Sequence, residues 1–214
     1  MLAMIFSLVH APAQVIYPAE AQVSDEELMK QAREDRAMFA HLYNRYFAAV
    51  YKYCLRRVNS KEDAEDLTSL VFTRALTGLG DYKGGSVPAW LFKIAHNAIA
   101  NHYRDRKYAI SVDDPSVADA HQLAATDEDG LTRVLHQEEV AYVRGLVSRL
   151  PEEQRELLAL RITAGMSAKD AGVILGKSES AIRVALHRIK NTLRAAYQQR
   201  EQEQEPEKKP EEVR

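Results

Sequence analysis

Two rows of polar side chains recur at helical spacing in this chain, and both have the chemistry of nucleic-acid contact. The first is Lys93, Asn97, Asn101 and Arg104, joined near its end by Arg106 and Lys107. Amides reach exposed base edges and cations meet phosphates, so this row suits single-stranded or melted DNA. The glycine-rich stretch from Gly78 to Val87 beside it could admit a base turned out of its stack. A solvated helix face beside a surface loop would show the same spacing, and spacing alone leaves both readings open. The second row is Arg183, His187, Lys190, Asn191 and Arg194, the outer face of a helix whose inner stripe is Ile182, Leu186, Ile189 and Leu193. A third group is acidic: Glu62, Asp66, Ser69 and Thr73, with Glu65 beside them. Clustered carboxylates can hold a divalent cation. No histidine or further carboxylate has ligand spacing to these, however, and a first helical turn favours carboxylates through its dipole. His96 and His102 do not share a helix face, and no nucleophile–base pair or phosphate-binding glycine loop is apparent. The expectation is therefore no catalytic residue, no metal and no cofactor.

The elements that must carry these rows can be drawn from caps and breakers. Ser167 with Asp170 starts a short helix with apolar residues Ala171, Val173, Ile174 and Leu175. Gly176 ends it, as glycine does where φ must turn positive. Ser178 caps a second, longer helix. A short helix, a tight glycine turn and a helix with a basic outer face make a helix-turn-helix, a shape that enters the DNA major groove. Two core helices with merely solvated charges are the plainer alternative. Upstream, Ser24 with Glu27 forms a capping box, followed by a long amphipathic helix with the stripe Phe39, Leu42, Tyr43, Tyr46, Phe47, Val50, Cys54 and Val58. Ser60 with Asp63 opens the next helix, and its apolar positions are Ala64, Leu67, Val71, Phe72, Ala75 and Leu79. Gly78, Gly80, Gly84 and Gly85 predict a flexible loop, closed by Pro88 in the first turn of a third helix. Leu91, Ile94, Ala95 and Ala98 form that helix's inner stripe. Trp90, at its start, suits the core or a base stack.

Strand signals are almost absent, so the chain is expected to be all-α. Its 214 residues and 46% apolar content suffice for two small helical domains. The boundaries read as a leader at 1–23, a first domain at 24–107, an acidic linker at 108–130, a second domain at 131–200 and a charged tail at 201–214. Leader and tail are expected to be disordered. The leader is apolar but has no basic start and is too short to span a bilayer, so membrane insertion is not expected. A net charge of −2 conceals local basic patches at 93–107 and 177–200. Cys54 is the single cysteine, which excludes an intramolecular disulfide and fits a small buried hydrophobe in a cytoplasmic protein.

Three segments together resemble the extracytoplasmic-function (ECF) group of the bacterial sigma-70 family. DAEDLTSLVFTRAL at 63–76 is similar to the region-two helix that grips core RNA polymerase. PAWLFKIAHNAIANHYRDRK at 88–107 resembles the segment that melts and reads the minus-ten promoter element. LPEEQRELLALRITAGMSAKDAGVILGKSESAIRVALHRIK at 150–190 resembles region four, which reads the minus-thirty-five element. The resemblance implies a sigma factor that docks on polymerase and melts promoter DNA with binding energy, without hydrolysing a nucleotide. It implies polymerase contacts at Asp63, Glu65, Asp66, Leu67, Ser69, Leu70 and Thr73, with Phe72 as packing. It implies minus-ten contacts at Trp90, Lys93, His96, Asn97, Asn101, Arg104, Arg106 and Lys107. For the minus-thirty-five element it implies Lys177, Ser178, Ser180, Arg183, Val184, His187, Arg188 and Lys190. Core RNA polymerase, promoter DNA in duplex and melted form, and an anti-sigma factor are the implied partners.

The chain departs from that pattern in places. Val184 and Ala185 replace a serine and an arginine, which implies altered minus-thirty-five readout. Ser69-Leu70 replaces a Gln-Glu pair in the polymerase-binding helix. Gly172 stands where alanine is usual, and a glycine inside a helix costs about 1 kcal/mol, so that helix is expected to be soft. Two other functions remain conceivable from residues alone. A dimeric helix-turn-helix regulator would need a dimerisation element, and a helical metal-dependent hydrolase would need the Glu62 to Asp66 carboxylates to hold metal.

Overall fold

The computed structural model describes residues 23–58, 60–110 and 130–204, with side chains except at 107–110, 130–138 and 201–204. The expected leader, most of the acidic linker, the end of the tail and the side chain of Lys107 lie outside the described residues. Within them, every regular element is helical.

Helix α1 spans Asp25–Glu34, and the Ser24 hydroxyl accepts from the Glu27 amide at 3.2 Å. Asp35 leaves the helical conformation and caps a 3-10 turn, Arg36–Met38, which leads into α2, Phe39–Arg57. Helix α3, Lys61–Thr77, starts at the expected Ser60 cap, bonded to the Asp63 amide at 3.1 Å. Helix α4 spans Val87–Ile110, with the Ser86 hydroxyl accepting from the Ala89 amide at 3.2 Å. The C-terminal part holds α5, Gly130–Ser148, and α6, Glu152–Leu158, which continues as a π-helical turn, Ala159–Thr163. Helices α7, Ala168–Leu175, and α8, Glu179–Gln204, complete the chain's described part.

Helices α1 to α4 wrap around Leu28, Met29, Leu42, Tyr46, Val50, Cys54, Val71 and Phe92, all buried. Burial pushes the Cys54 thiol up to about 11, so it is a thiol rather than a reactive thiolate at neutral pH. The α2 stripe is narrower than its spacing predicts. Tyr43 is 39% and Phe47 40% exposed, stacked with Phe72 and Tyr51 along the outside. Phe92 and Ile99 join the inner stripe of α4 while Ile94 is only half-buried. The same buried core continues through Leu157, Leu160, Met166, Ile174, Ile182, Leu186, Ile189 and Leu193 around the helix-turn-helix.

The glycine-rich loop is anchored rather than free. Arg33 donates to the carbonyls of Leu79 (3.0 Å) and Tyr82, and its guanidinium lies over the Tyr82 ring. Tyr82 in turn donates to the Gly85 carbonyl and meets Trp90 edge-on, with ring centroids 5.6 Å apart. Gly84 and Gly85 take φ of 96° and 97°, which a side chain would strain.

Candidate nucleic-acid interface

The helix-turn-helix forms as its caps dictate. The Ser167 hydroxyl accepts from the Asp170 amide at 3.0 Å, Gly176 turns at φ 66°, and the Ser178 hydroxyl accepts from the Ala181 amide at 3.2 Å. Gly172 is there for space. A Cβ on it would stand 2.6 Å from the Lys177 carbonyl oxygen, and the Lys177 amide donates to the Gly172 carbonyl at 2.9 Å. The turn thus folds down directly onto α7, where only a residue without a Cβ leaves room for it. Of that helix's apolar residues, Val173 faces outward and is 62% exposed.

The outer face of α8 is open. Ser180, Arg183, Val184, His187, Arg188 and Asn191 are exposed, while Lys190 is half-buried. Arg183 donates to Glu179 from Nε (3.0 Å) and Nη2 (2.5 Å), and Asn191 Nδ2 lies 3.0 Å from His187 Nε2. Lys177 pairs with Glu153 at 2.5 Å, and Ser178 and Ser180 share a hydrogen bond of 3.0 Å.

The row on α4 is in a different state. Asn97 and Arg104 are exposed and Asn101 half-exposed, but the row's beginning is occupied by the C-terminal helices. Lys93 Nζ donates to the Ile174 carbonyl at 2.5 Å, a cation on the last turn of α7 where the helix dipole favours it. His96 Nδ1 stands 2.8 Å from Glu156 Oε1. Trp90 is half-buried against Tyr82. Arg106 reaches Asp63 at 3.6 Å.

Glu156 is the centre of this junction. Its buried carboxylate accepts from Tyr53 Oη at 2.6 Å and from Arg57 Nη2 at 3.2 Å, in addition to the His96 contact. Arg57 also pairs with Glu152. Burial alone would raise the Glu156 carboxyl, but the His96 hydrogen bond, the Arg57 charge and the Tyr53 hydroxyl outweigh it and hold it below the ordinary range. Burial and the neighbouring Glu156 charge push the Tyr53 phenol well up, so it remains a donor. The sequence reading missed all three residues. The available signal was a charge on each apolar stripe: Arg57 follows Val50 and Cys54 on α2, and Glu156 precedes Leu157 and Leu160 on α6.

On α3, Glu65, Asp66, Ser69, Leu70 and Thr73 share the exposed face. Leu67 is buried, so it packs rather than touches a partner, and Phe72 packs likewise. Asp63 is turned toward α4, facing Arg106 and, at 3.9 Å, His102. Exposed Leu70, Tyr43 and Phe47 add an apolar strip along the α2–α3 surface. No group of three or more potential metal ligands occurs among the described residues.

Two family models match the chain: Sigma-70 region 2 over residues 42–108 and Sigma-70, region 4 over residues 141–193. The ECF RNA polymerase sigma factor SigM of Bacillus subtilis is 31% identical over 157 residues, covering 73% of this chain and 93% of SigM. The chain belongs to the ECF sigma factor family. BldN of Streptomyces coelicolor, another ECF sigma factor, is 35% identical over 170 residues, covering 78% of this chain and 63% of BldN. The fold is also that of the sigma factor RpoE in complex with the anti-sigma factor NepR from Bartonella quintana. That likeness has a TM-score of 0.62 at 20% identity, covering 75% of this chain and 96% of RpoE. An ECF sigma factor binds core RNA polymerase and directs initiation at chosen promoters; it is not an enzyme. Region two is the module of α2 to α4, and region four contains the helix-turn-helix.

Proposed function

We propose that this sigma factor divides promoter recognition between its two helical modules, residues 24–107 and 131–200, with residues 108–130 as the tether. The open outer face of α8, set opposite its buried stripe and held by the Gly176 turn, is the observation that carries the reading. Arg183, His187, Arg188 and Lys190 meet the minus-thirty-five duplex, with Lys177, Ser178 and Ser180 positioned at the helix start to meet phosphates. Asn97, Asn101 and Arg104, with Trp90, Lys93, His96, Arg106 and Lys107, receive the melted minus-ten strand. Lys93 and His96 are engaged by α7 and α6. The two modules therefore separate when the chain docks on polymerase, which frees the start of the single-strand face only on the enzyme.

Glu65, Asp66, Ser69, Leu70 and Thr73 form the polymerase-facing surface of α3. Leu70 there continues the apolar strip of Tyr43 and Phe47, so burial replaces part of the polar contact that a Gln-Glu pair would make. The chain works in the cytoplasm, where polymerase is; no described helix is long and apolar enough to cross a membrane. An anti-sigma factor, as bound by RpoE in the related structure, is a further partner. The test is transcription in vitro with purified core polymerase over a genomic template library. Addition of the chain creates start sites that share an upstream duplex element. Capture by core enzyme without any new start site would contradict the reading.

A further inference from the structure

Ile182, Leu186, Ile189 and Leu193 face inward along α8. At about 100° per residue, the far side of the helix is the row Ser180, Val184, His187, Arg188 and Asn191. Val184 lies half a turn from both Ile182 and Leu186, at the centre of that row. It is 51% exposed, while its neighbour Ala185 packs against the core. A branched aliphatic side chain thus stands where a groove-docked helix reaches deepest, with hydroxyl, imidazole, guanidinium and amide groups around it.

We infer that Val184 reads the 5-methyl group of a thymine in the upstream promoter element. The inference rests on the proposed major-groove docking of α8 and adds the base it selects. In the major groove each base pair presents hydrogen-bonding atoms, and the thymine methyl is the one large apolar projection. Valine has no donor or acceptor. Over guanine, or over the amino groups of cytosine and adenine, it would strip water from polar atoms and return no hydrogen bond. Over thymine it buries one methyl against another, worth about fourfold in affinity. Ser180, His187 and Arg188 flank it and supply the polar contacts to adjacent bases and phosphates. The specificity is therefore for a thymine at the centre of the site, framed by hydrogen-bonded positions.

The test uses the full chain bound to core polymerase. A duplex pool randomised across the upstream element is selected for binding, and the best selected duplex is remade with 2′-deoxyuridine replacing one thymine at a time. One thymine is enriched at a fixed position, and loss of its methyl weakens binding about fourfold. Val184→Ala, at an exposed position where alanine is a good helix former, keeps the fold and loses most of that difference. Reselection with Val184→Ser loses the thymine preference at that position. An enriched element in which no thymine methyl matters would overturn the inference alone, as would an equal uracil penalty in Val184→Ala. Failure of Val184→Ala to be captured by polymerase would make Val184 a protein contact and overturn it too. A pool with no enriched upstream element would overturn the docking of α8 itself, and the inference with it.

Discussion

The two surfaces proposed to meet DNA are built from the same material, one amphipathic helix each, yet they stand in opposite states. The outer face of α8 is open, with Arg183 paired to Glu179 on the same helix. The face of α4 is engaged at its start, where Lys93 and His96 are bonded to the C-terminal module. Duplex recognition needs only a rigid face offered to an intact groove. A surface for unstacked bases would bind exposed single strands anywhere, and here its beginning is engaged by the module proposed to read duplex. On the proposed reading, α8 serves search and α4 commitment.

Replacing Glu156 is the strongest way to break that contrast. Removing one partner of a buried ion pair costs about 3–5 kcal/mol, because the remaining charge is left uncompensated. Glu156→Ala is expected to loosen the junction, expand the chain in small-angle scattering and make Lys93 more reactive toward amine labels. An unchanged radius of gyration with unchanged labelling would mean that the junction does not hold the modules together. Gly172→Ala probes the open side. Its methyl group would press on the Lys177 carbonyl, and overpacking of this kind costs about 1–3 kcal/mol. Thermal unfolding followed in the helix-turn-helix should show the loss, with α1 to α4 unaffected.

Substitutions on the faces themselves sharpen the division. Arg183→Ala is expected to weaken closed-complex binding toward the lower end of about 1–3 kcal/mol, since the free chain already pairs Arg183 with Glu179. Asn97→Ala should leave that step intact and slow open-complex formation. Titrations at several salt concentrations separate the two, and equal losses of closed-complex affinity would contradict the contrast. The smallest effect is that of acid. The Glu156 carboxyl is held below its ordinary value of 4.5, so its contribution is complete above that pH and fades as pH falls through the lowered value. Tyr53, Arg57, Glu152 and His96 face the same point. Native chain should therefore open on acidification below about pH 4.5, a transition that Glu156→Gln should weaken, with the Glu152–Arg57 pair, whose carboxyl is also held low, supplying what remains.

Much of this architecture was legible in local signals. Ser24, Ser60, Ser167 and Ser178 each cap the helix expected of them, and Gly176 turns left-handed as a helix end requires. These features act over a few residues, so spacing reveals them. Contacts between distant segments were not legible. Even the Lys177 carbonyl, only five residues from Gly172, closes on it through the way the turn folds back over α7, which spacing does not show, so the glycine read as softness. Tyr43 and Phe47 kept helical spacing yet lie outside, because a helix against a small bundle buries only a narrow stripe. Arg57 and Glu156 are 99 residues apart, so no local spacing pairs them.

The most direct test of this account is the distance between spin labels at Glu62→Cys and Val173→Cys, one on each module. Both sites are exposed, and Cys54 is buried and unreactive. The free chain should give a single narrow distance distribution that shifts to longer distances when core polymerase is added. A broad distribution in the free chain, or a narrow one unchanged by polymerase, would contradict a single-strand face whose beginning is held until the chain docks.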